Sequence, residues 1–274
     1  AVHGLINVIL PEPDDTGFVR GSYGSLGRWR GDASVPVTDT LQLNLSLQKD
    51  TGWRDSTGAD QQKVSLVVQP DMGDWDGTFW LSASNLKQDT AGFIQGIDAY
   101  KDEDLARTNP NPGAYRNAWS ARLGARLEHD IGPGRLALTP NFHTQAMTFS
   151  QHFLPYGGVE KNAHTGGGLM VRYDFNAAGP VSWRIGTDTD VASGYLKEIQ
   201  PLPHPNPAFP QGQHYNYSVD TLTVALWSEA EIELSDSVRI VAGLRGETQD
   251  YDYTTRIPAG INGRFNVPAS RSDD

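Results

Sequence analysis

From Thr40 to Gln48 the chain sets Leu41, Leu43, Leu45 and Leu47 against Gln42, Asn44, Ser46 and Gln48. The same period of two returns along the chain. Trp119, Ala121, Leu123, Ala125 and Leu127 alternate with Ser120, Arg122, Gly124, Arg126 and Glu128. Leu169, Val171, Tyr173 and Phe175 oppose Arg172 and Asp174, and Val181, Trp183 and Ile185 oppose Ser182 and Arg184. Leu222, Val224, Leu226, Ala230, Ile232 and Leu234 oppose Glu229, Glu231 and Glu233. Val238, Ile240, Ala242 and Leu244 oppose Arg239 and Arg245. Successive strand residues point to opposite faces, whereas a helix would repeat at three and four residues. The chain is therefore read as all-β.

Alternation alone also suits a soluble sandwich, whose polar face meets water. Two features favour a membrane barrel. The segments 135–152, 181–196, 218–234 and 238–253 are longer than the about five or six residues of an ordinary strand. A bilayer-crossing strand needs about 9–11 residues, plus extensions into the loops. Short and long connections also alternate. Thr38-Asp39, 71–77, 130–134, 176–180 and 235–237 are short, and 49–60, 88–115, 153–163 and 197–217 are long. Up-and-down outer-membrane barrels have this asymmetry, with short periplasmic turns and long extracellular loops. About eleven strands are expected, with aromatic girdle candidates Trp75, Phe79, Trp80, Tyr173, Phe175 and Trp183 at their ends.

Composition agrees. Only 38% of residues are hydrophobic, and no stretch approaches the roughly 18 apolar residues of a spanning helix. A barrel needs an apolar residue only at every second position. The net charge of -11 argues against a phosphate-backbone binder, so no nucleic-acid partner is expected. The absence of cysteine excludes disulfides and thiolate metal sites.

The opening Ala1-Val2-His3-Gly4-Leu5-Ile6-Asn7-Val8-Ile9-Leu10 resembles the last plug strand of TonB-dependent outer-membrane receptors, with Gly4, Ile6, Asn7, Val8 and Ile9 matching the family pattern. Pro11-Glu12-Pro13 then resembles the linker, and Gly17 to Val37, with Tyr23-Gly24-Ser25 near its tip, the first barrel hairpin. Gly52-Trp53-Arg54-Asp55 with Asp60-Gln61-Gln62 is similar to the first long loop and descending strand. Gly243-Leu244-Arg245 with Tyr251-Asp252-Tyr253 is similar to a late mid-barrel strand.

The resemblance implies residues 1–13 as plug end and linker, and 14–274 as the N-terminal half of the barrel. The large plugged transporters have 22 strands, so about eleven make a partial, antiparallel up-and-down transmembrane β-barrel. The chain is expected to be an internal fragment, without leader, TonB box, most of the plug and the second half of the barrel. A half-barrel has open edges that lipid cannot satisfy, and alone it should transport nothing. The parent would be a multi-pass protein of a Gram-negative outer membrane. It would take up a nutrient complex, foremost a ferric siderophore, energised through the plug by TonB-ExbB-ExbD, among outer-membrane lipid and lipopolysaccharide. No cofactor is implied.

No catalytic residues stand out: HExxH, GxSxG, Walker and EF-hand patterns are all missing from the sequence. His143, His152, His164, His204 and His214 are scattered and read as exposed or lumenal rather than as metal ligands. Long loops on rigid scaffolds carry binding. Trp53, Arg54, Tyr100, Tyr156, Tyr215 and Tyr217, assigned to extracellular loops, are the candidate ligand contacts, because aromatic faces and Arg suit planar or anionic ligands. The alternative reading, loops packed on neighbouring loops, is the commoner fate of such segments. Two other classes remain: a barrel enzyme using groups such as His152 and His164, and a soluble all-β binding module.

Overall fold

The computed structural model describes residue 13 and residues 16–150, 157–175, 181–235, 237–257 and 270–273. The expected plug end and nearly all of the linker lie outside these residues. Strands β1 (Phe18–Tyr23), β2 (Trp29–Thr38), β3 (Leu41–Asp50), β4 (Gly58–Val68), β5 (Trp75–Asp89) and β6 (Tyr115–Ile131) lead into longer ones. These are β7 (Gly134–Ser150), β8 (Val159–Phe175), β9 (Val181–Gln200), β10 (Gly212–Ser235) and β11 (Val238–Thr255), followed by the four-residue β12 (Ser270–Asp273). All pair antiparallel in chain order, so each strand lies beside its sequence neighbours. This is the expected up-and-down meander, with eleven strands where they were read and a short twelfth that was not.

Register assigns every strand residue to one of two faces. Leu45 pairs with Val64, Val64 with Ala83, Ala83 with Ala121 and Leu81 with Leu123. Further along, Leu123 pairs with Phe142, Leu138 with Val171, Val191 with Leu222 and Ile232 with Ile240. One face is thus apolar across the sheet. The other carries the charges.

No interior competes for the apolar face. Among the described residues only Val67, Ala99, Ala114, Ala125, Ala137 and Ala225 are buried hydrophobics, while Leu123, Leu226 and Leu244 are 52%, 65% and 81% exposed. Moving a leucine out of water is worth about 1.5–3 kcal/mol. A sheet that leaves a whole face of them uncovered is stable only against an apolar medium. No described helix is long and apolar enough to cross a membrane, which says nothing of strands.

Aromatic rings gather on the apolar face at the short-turn end. Trp75 stacks on His129 at 4.8 Å, and Phe175 stacks on Trp183 at 5.1 Å with Tyr173 edge-on. Trp80 departs from the expected girdle. Its partner across the ladder is Gly124, which places it on the polar face. It lies over Gly124, where a Cβ would stand 2.3 Å from the indole, and Trp227 covers Gly186 in the same way. Each ring fills the space its neighbour's missing side chain leaves. Gly132 has the positive φ (57°) needed at the first central position of the two-residue turn closing Ile131 onto Gly134.

The connections are shorter than the sequence suggested. The residues between the strands are 51–57, 90–114, 151–158 and 201–211. β9 and β10 run 20 and 24 residues, and the latter is about 80 Å long at the usual rise. Main-chain pairing continues past the apolar stretch because it needs no apolar side chain, so alternation underestimates these strands.

Replacing Gly186 with Ala should push Trp227 and the Val171 carbonyl apart and cost about 1–3 kcal/mol by overpacking. A lowered urea midpoint of the full-length protein refolded in detergent is the expected result.

Candidate functional site

The long-connection end of the sheet is built around one arginine. The Arg54 guanidinium donates from Nε and Nη2 to the Thr108 carbonyl, at 3.0 and 2.6 Å, and from Nη1 to the Gly92 carbonyl at 2.6 Å. The Asp55 amide donates to the Arg107 carbonyl at 2.8 Å. Asn109 completes the bridge: its Nδ2 donates to the carbonyls of Ser56 and Thr90, and its Oδ1 accepts from the amides of Gly92 and Asn111. Residues 51–57 and 90–114 therefore form one unit. Within it a 3-10 turn (Ala99–Lys101) precedes α1 (Glu103–Arg107), whose first turn is capped by the Asp102 carboxylate accepting from the Leu105 amide.

The candidate contacts separate accordingly. Trp53 (45% exposed) and Tyr100 (76% exposed) present their rings outward, and Arg54 spends its donors on bracing. Tyr156 lies outside the described residues. Tyr215 and Tyr217 lie in β10 rather than in a loop, on the polar face, where the Tyr217 and Tyr253 rings are 5.1 Å apart.

One functional group escaped sequence reasoning. β10 slips by one residue between Gln213 and Tyr215, and the unpaired bulge residue is His214. The bulge turns its ring inward until 1% of it is exposed. Nε2 lies 2.7 Å from the Pro210 carbonyl oxygen and Nδ1 lies 2.7 Å from Glu198 Oε1. A carbonyl oxygen only accepts, so Nε2 donates to it, and a second proton bridges Nδ1 and the carboxylate. Both nitrogens are consumed in pinning the 201–211 connection to β9. His214 was expected to be exposed or lumenal, and a bulge has no period-two signal that would reveal its burial. His143 and His164 are also neighbours, edge to face at 5.3 Å on the polar face. No cluster of three metal-ligating side chains occurs among the described residues.

The polar face divides electrostatically. Toward the short turns runs a belt of ion pairs. Arg135 meets Asp76, Glu128 and Asp130, and Arg172 meets Glu128 and Asp174. Arg184 meets Asp174, Glu229 and Glu231, and Arg239 meets Glu231. Arg126 pairs with Glu128, and Arg245 with Asp188 and Glu247. Six arginines thus face eight carboxylates, which leaves no free cation in the belt.

On β1–β6 the balance reverses. Arg20, Asp32, Ser46, Lys63, Ser84 and Ser120 are successive partners in one cross-strand row. The neighbouring row holds Ser34, Asn44, Ser65, Ser82 and Arg122. All of these but Ser34 line a cavity of about 570 Å³. Asp32 is paired with Arg30 at 2.8 Å, and among the described residues no carboxylate stands within ion-pair distance of Arg20, Lys63 or Arg122. Arg20 faces the Asp32 carboxylate, which it shares with Arg30, so Lys63 and Arg122 are left without a carboxylate partner. A hydroxyl-lined hollow with this excess of cations, on a protein of net charge -11, is suited to an oxyanion-rich group.

The same architecture occurs in solved structures. The ferric yersiniabactin uptake receptor FyuA from Yersinia pestis matches with TM-score 0.64 and 16% identity, over 96% of this chain and 42% of that one. The ferric-catecholate import receptor Fiu from E. coli K12, in its open form, matches with TM-score 0.71 and 13% identity, over 96% and 51%. The ferripyoverdine receptor of the outer membrane of Pseudomonas aeruginosa matches with TM-score 0.69 and 12% identity, over 94% and 38%. This chain has the barrel fold of the TonB-dependent outer-membrane receptors. It spans about half or less of the length of these structures. No protein-family model and no curated protein matches the sequence. In this receptor-type wall the apolar face is the outer surface of the barrel and the polar face its lumen.

Replacing Arg54 with Ala removes all the guanidinium donors and leaves two loop carbonyls unpaired. Faster amide exchange across 90–114 is expected, by about 10-fold or more from the loss of charge-assisted hydrogen bonds, with the sheet unchanged. His214→Ala should do the same to 201–211, because the bonds from its ring to the Pro210 carbonyl and to Glu198 are both lost.

Proposed function

We propose that this chain is part of the barrel wall of a TonB-dependent receptor in a Gram-negative outer membrane, one that takes up an iron complex bound to an anionic chelator, a ferric siderophore. The observation that carries the reading is the combination of the receptor-type sheet with the cationic, hydroxyl-lined hollow on its lumenal face. Residues 1–13 are read as the end of a plug and its linker, and 14–274 as the first half of the barrel. Energy would reach the plug from TonB-ExbB-ExbD. Trp53, Arg54, Tyr100, Tyr156, Tyr215 and Tyr217 are read as ligand contacts, with Arg54 also bracing the loop that carries Trp53.

Transport requires binding and release but no covalent step, so the protein is read as a carrier rather than an enzyme. His214, in contact with Glu198, has both nitrogens committed to structural bonds and is poorly placed to move a substrate proton. A soluble binding module is disfavoured by the uncovered apolar face.

The test is uptake of radiolabelled iron by cells carrying or lacking the full-length gene under iron limitation, with siderophores supplied singly. Gene-dependent accumulation that disappears without TonB is expected. Accumulation indifferent to the gene for every siderophore would refute the reading. For the siderophore that is taken up, Lys63→Gln with Arg122→Gln should weaken binding by about tenfold or more through lost charge-assisted bonds, read by quenching of tryptophan fluorescence.

A further inference from the structure

Two histidines remain without a role. His143 on β7 and His164 on β8 both fall on the polar, lumenal face, His143 opposite Gly166 and His164 opposite Gln145. They are diagonal neighbours across one ladder, and their side chains close the gap: the ring centroids are 5.3 Å apart, with the planes at 73°. Glycine makes the room. A Cβ at Gly166 would stand 2.9 Å from His143 Nε2, so the imidazole lies where its partner's side chain would have been. Gly194, the partner of His164 on β9, likewise presents no side chain there. Both rings are half-buried, and they line a cavity of about 420 Å³ with Trp80, Arg122, Asn141 and Gln145.

The fold makes no use of these two rings. His129, His204 and His214 all spend ring nitrogens on main-chain or carboxylate partners. Among the described residues the side chains of His143 and His164 make no hydrogen bond or ion pair, and the side-chain amides of Asn141 and Gln145 make none either. Four polar side chains thus surround one cavity with their donor atoms uncommitted.

What such a pair can hold follows from ring geometry. An ion bound by imidazole sits about 2.0–2.1 Å from the nitrogen, hence about 3.2 Å from the ring centroid. Two imidazoles meeting tetrahedrally on one ion then have centroids about 5.2 Å apart. His143 and His164 already stand at that separation, so rotation about side-chain bonds brings one nitrogen of each onto a shared ion without moving the backbone. Gln145, two residues from His143 on the same face and opposite His164, is placed to add its amide oxygen. No third His, Asp or Glu joins them among the described residues, so Mg2+ or Ca2+, which need several oxygen ligands, find too few. Imidazole suits copper, nickel and zinc. Arg122, opposite His143, repels any cation and holds the affinity below that of a closed four-ligand site.

We propose that His143 and His164, assisted by Gln145, form an open binding site for a divalent late transition metal, Cu2+ foremost, on the lumenal wall. The site needs only the fold. It does not depend on siderophore uptake, and metal binding can be measured without an energised cell, so either reading can fail alone.

The test uses the full-length protein in neutral detergent, stripped of metal with a chelator. CuCl2, ZnCl2 and MgCl2 are added separately, and binding is followed by titration calorimetry. Cu2+ should bind, Zn2+ more weakly in line with the stability order of divalent ions, and Mg2+ not at all. Cu2+ should also quench Trp80, which lines the cavity, so W80F should lose quenching while keeping the heat of binding. H143Q and H164Q should each weaken Cu2+ binding by about tenfold or more, since losing even an outer partner of a ligand costs that much, and H204Q should leave it unchanged. Electron paramagnetic resonance of the unmutated protein with one equivalent of Cu2+ should show two imidazole nitrogens, a reading that needs no variant to fold. Affinity unchanged in both H143Q and H164Q, a signal from fewer than two nitrogens, or Mg2+ binding as tightly as Cu2+ would each overturn the proposal.

Discussion

The ladder of backbone hydrogen bonds running from β1 to β12 bears the structure, because the described residues form no apolar interior to share the load. In a medium without water each unpaired amide or carbonyl costs several kcal/mol, so a spanning segment must pair its backbone completely. Antiparallel neighbours in strict chain order achieve this with the shortest connections. They also fix register, and register decides everything that follows. A slip of one residue would turn every leucine of a strand to the polar face and every arginine to the lipid.

Given that ladder, the two faces are free to specialise. The lumenal face neutralises itself with arginine and carboxylate toward the short turns and leaves cations uncompensated on β1–β6. Guanidinium suits the belt because its planar fork can meet carboxylates on two neighbouring strands at once, as Arg135, Arg172 and Arg184 do. Trp80 over Gly124 and Trp227 over Gly186 fill the lumenal surface where a second side chain would clash.

At the long-connection end the ladder hands over to side chains. Arg54 and Asn109 use polar groups to tie main chain to main chain. His214 does the same for 201–211 from within a bulge. The exposed rings of Trp53 and Tyr100 are thereby presented from a braced unit.

The all-β class, the two faces, the eleven strands and the alternation of short and long connections were legible in the residues, because period two and turn chemistry are local properties. The receptor resemblance rested on short motifs, and the barrel likeness agrees with it, although the plug-end motif lies outside the described residues. Sequence reading failed where contacts join distant positions. The bracing bonds of Arg54 had no local signal, Trp80 looked like a girdle residue and faces inward, and Tyr215 and Tyr217 looked like loop residues and belong to a strand. The burial of His214 and the gathering of Arg20, Lys63 and Arg122 around one hollow exist only through inter-strand register. The sequence by itself determined which residues share a face along each strand. Only the tertiary structure decided which strands' residues meet, because pairing partners are set by the ladder and not by the chain's own periodicity.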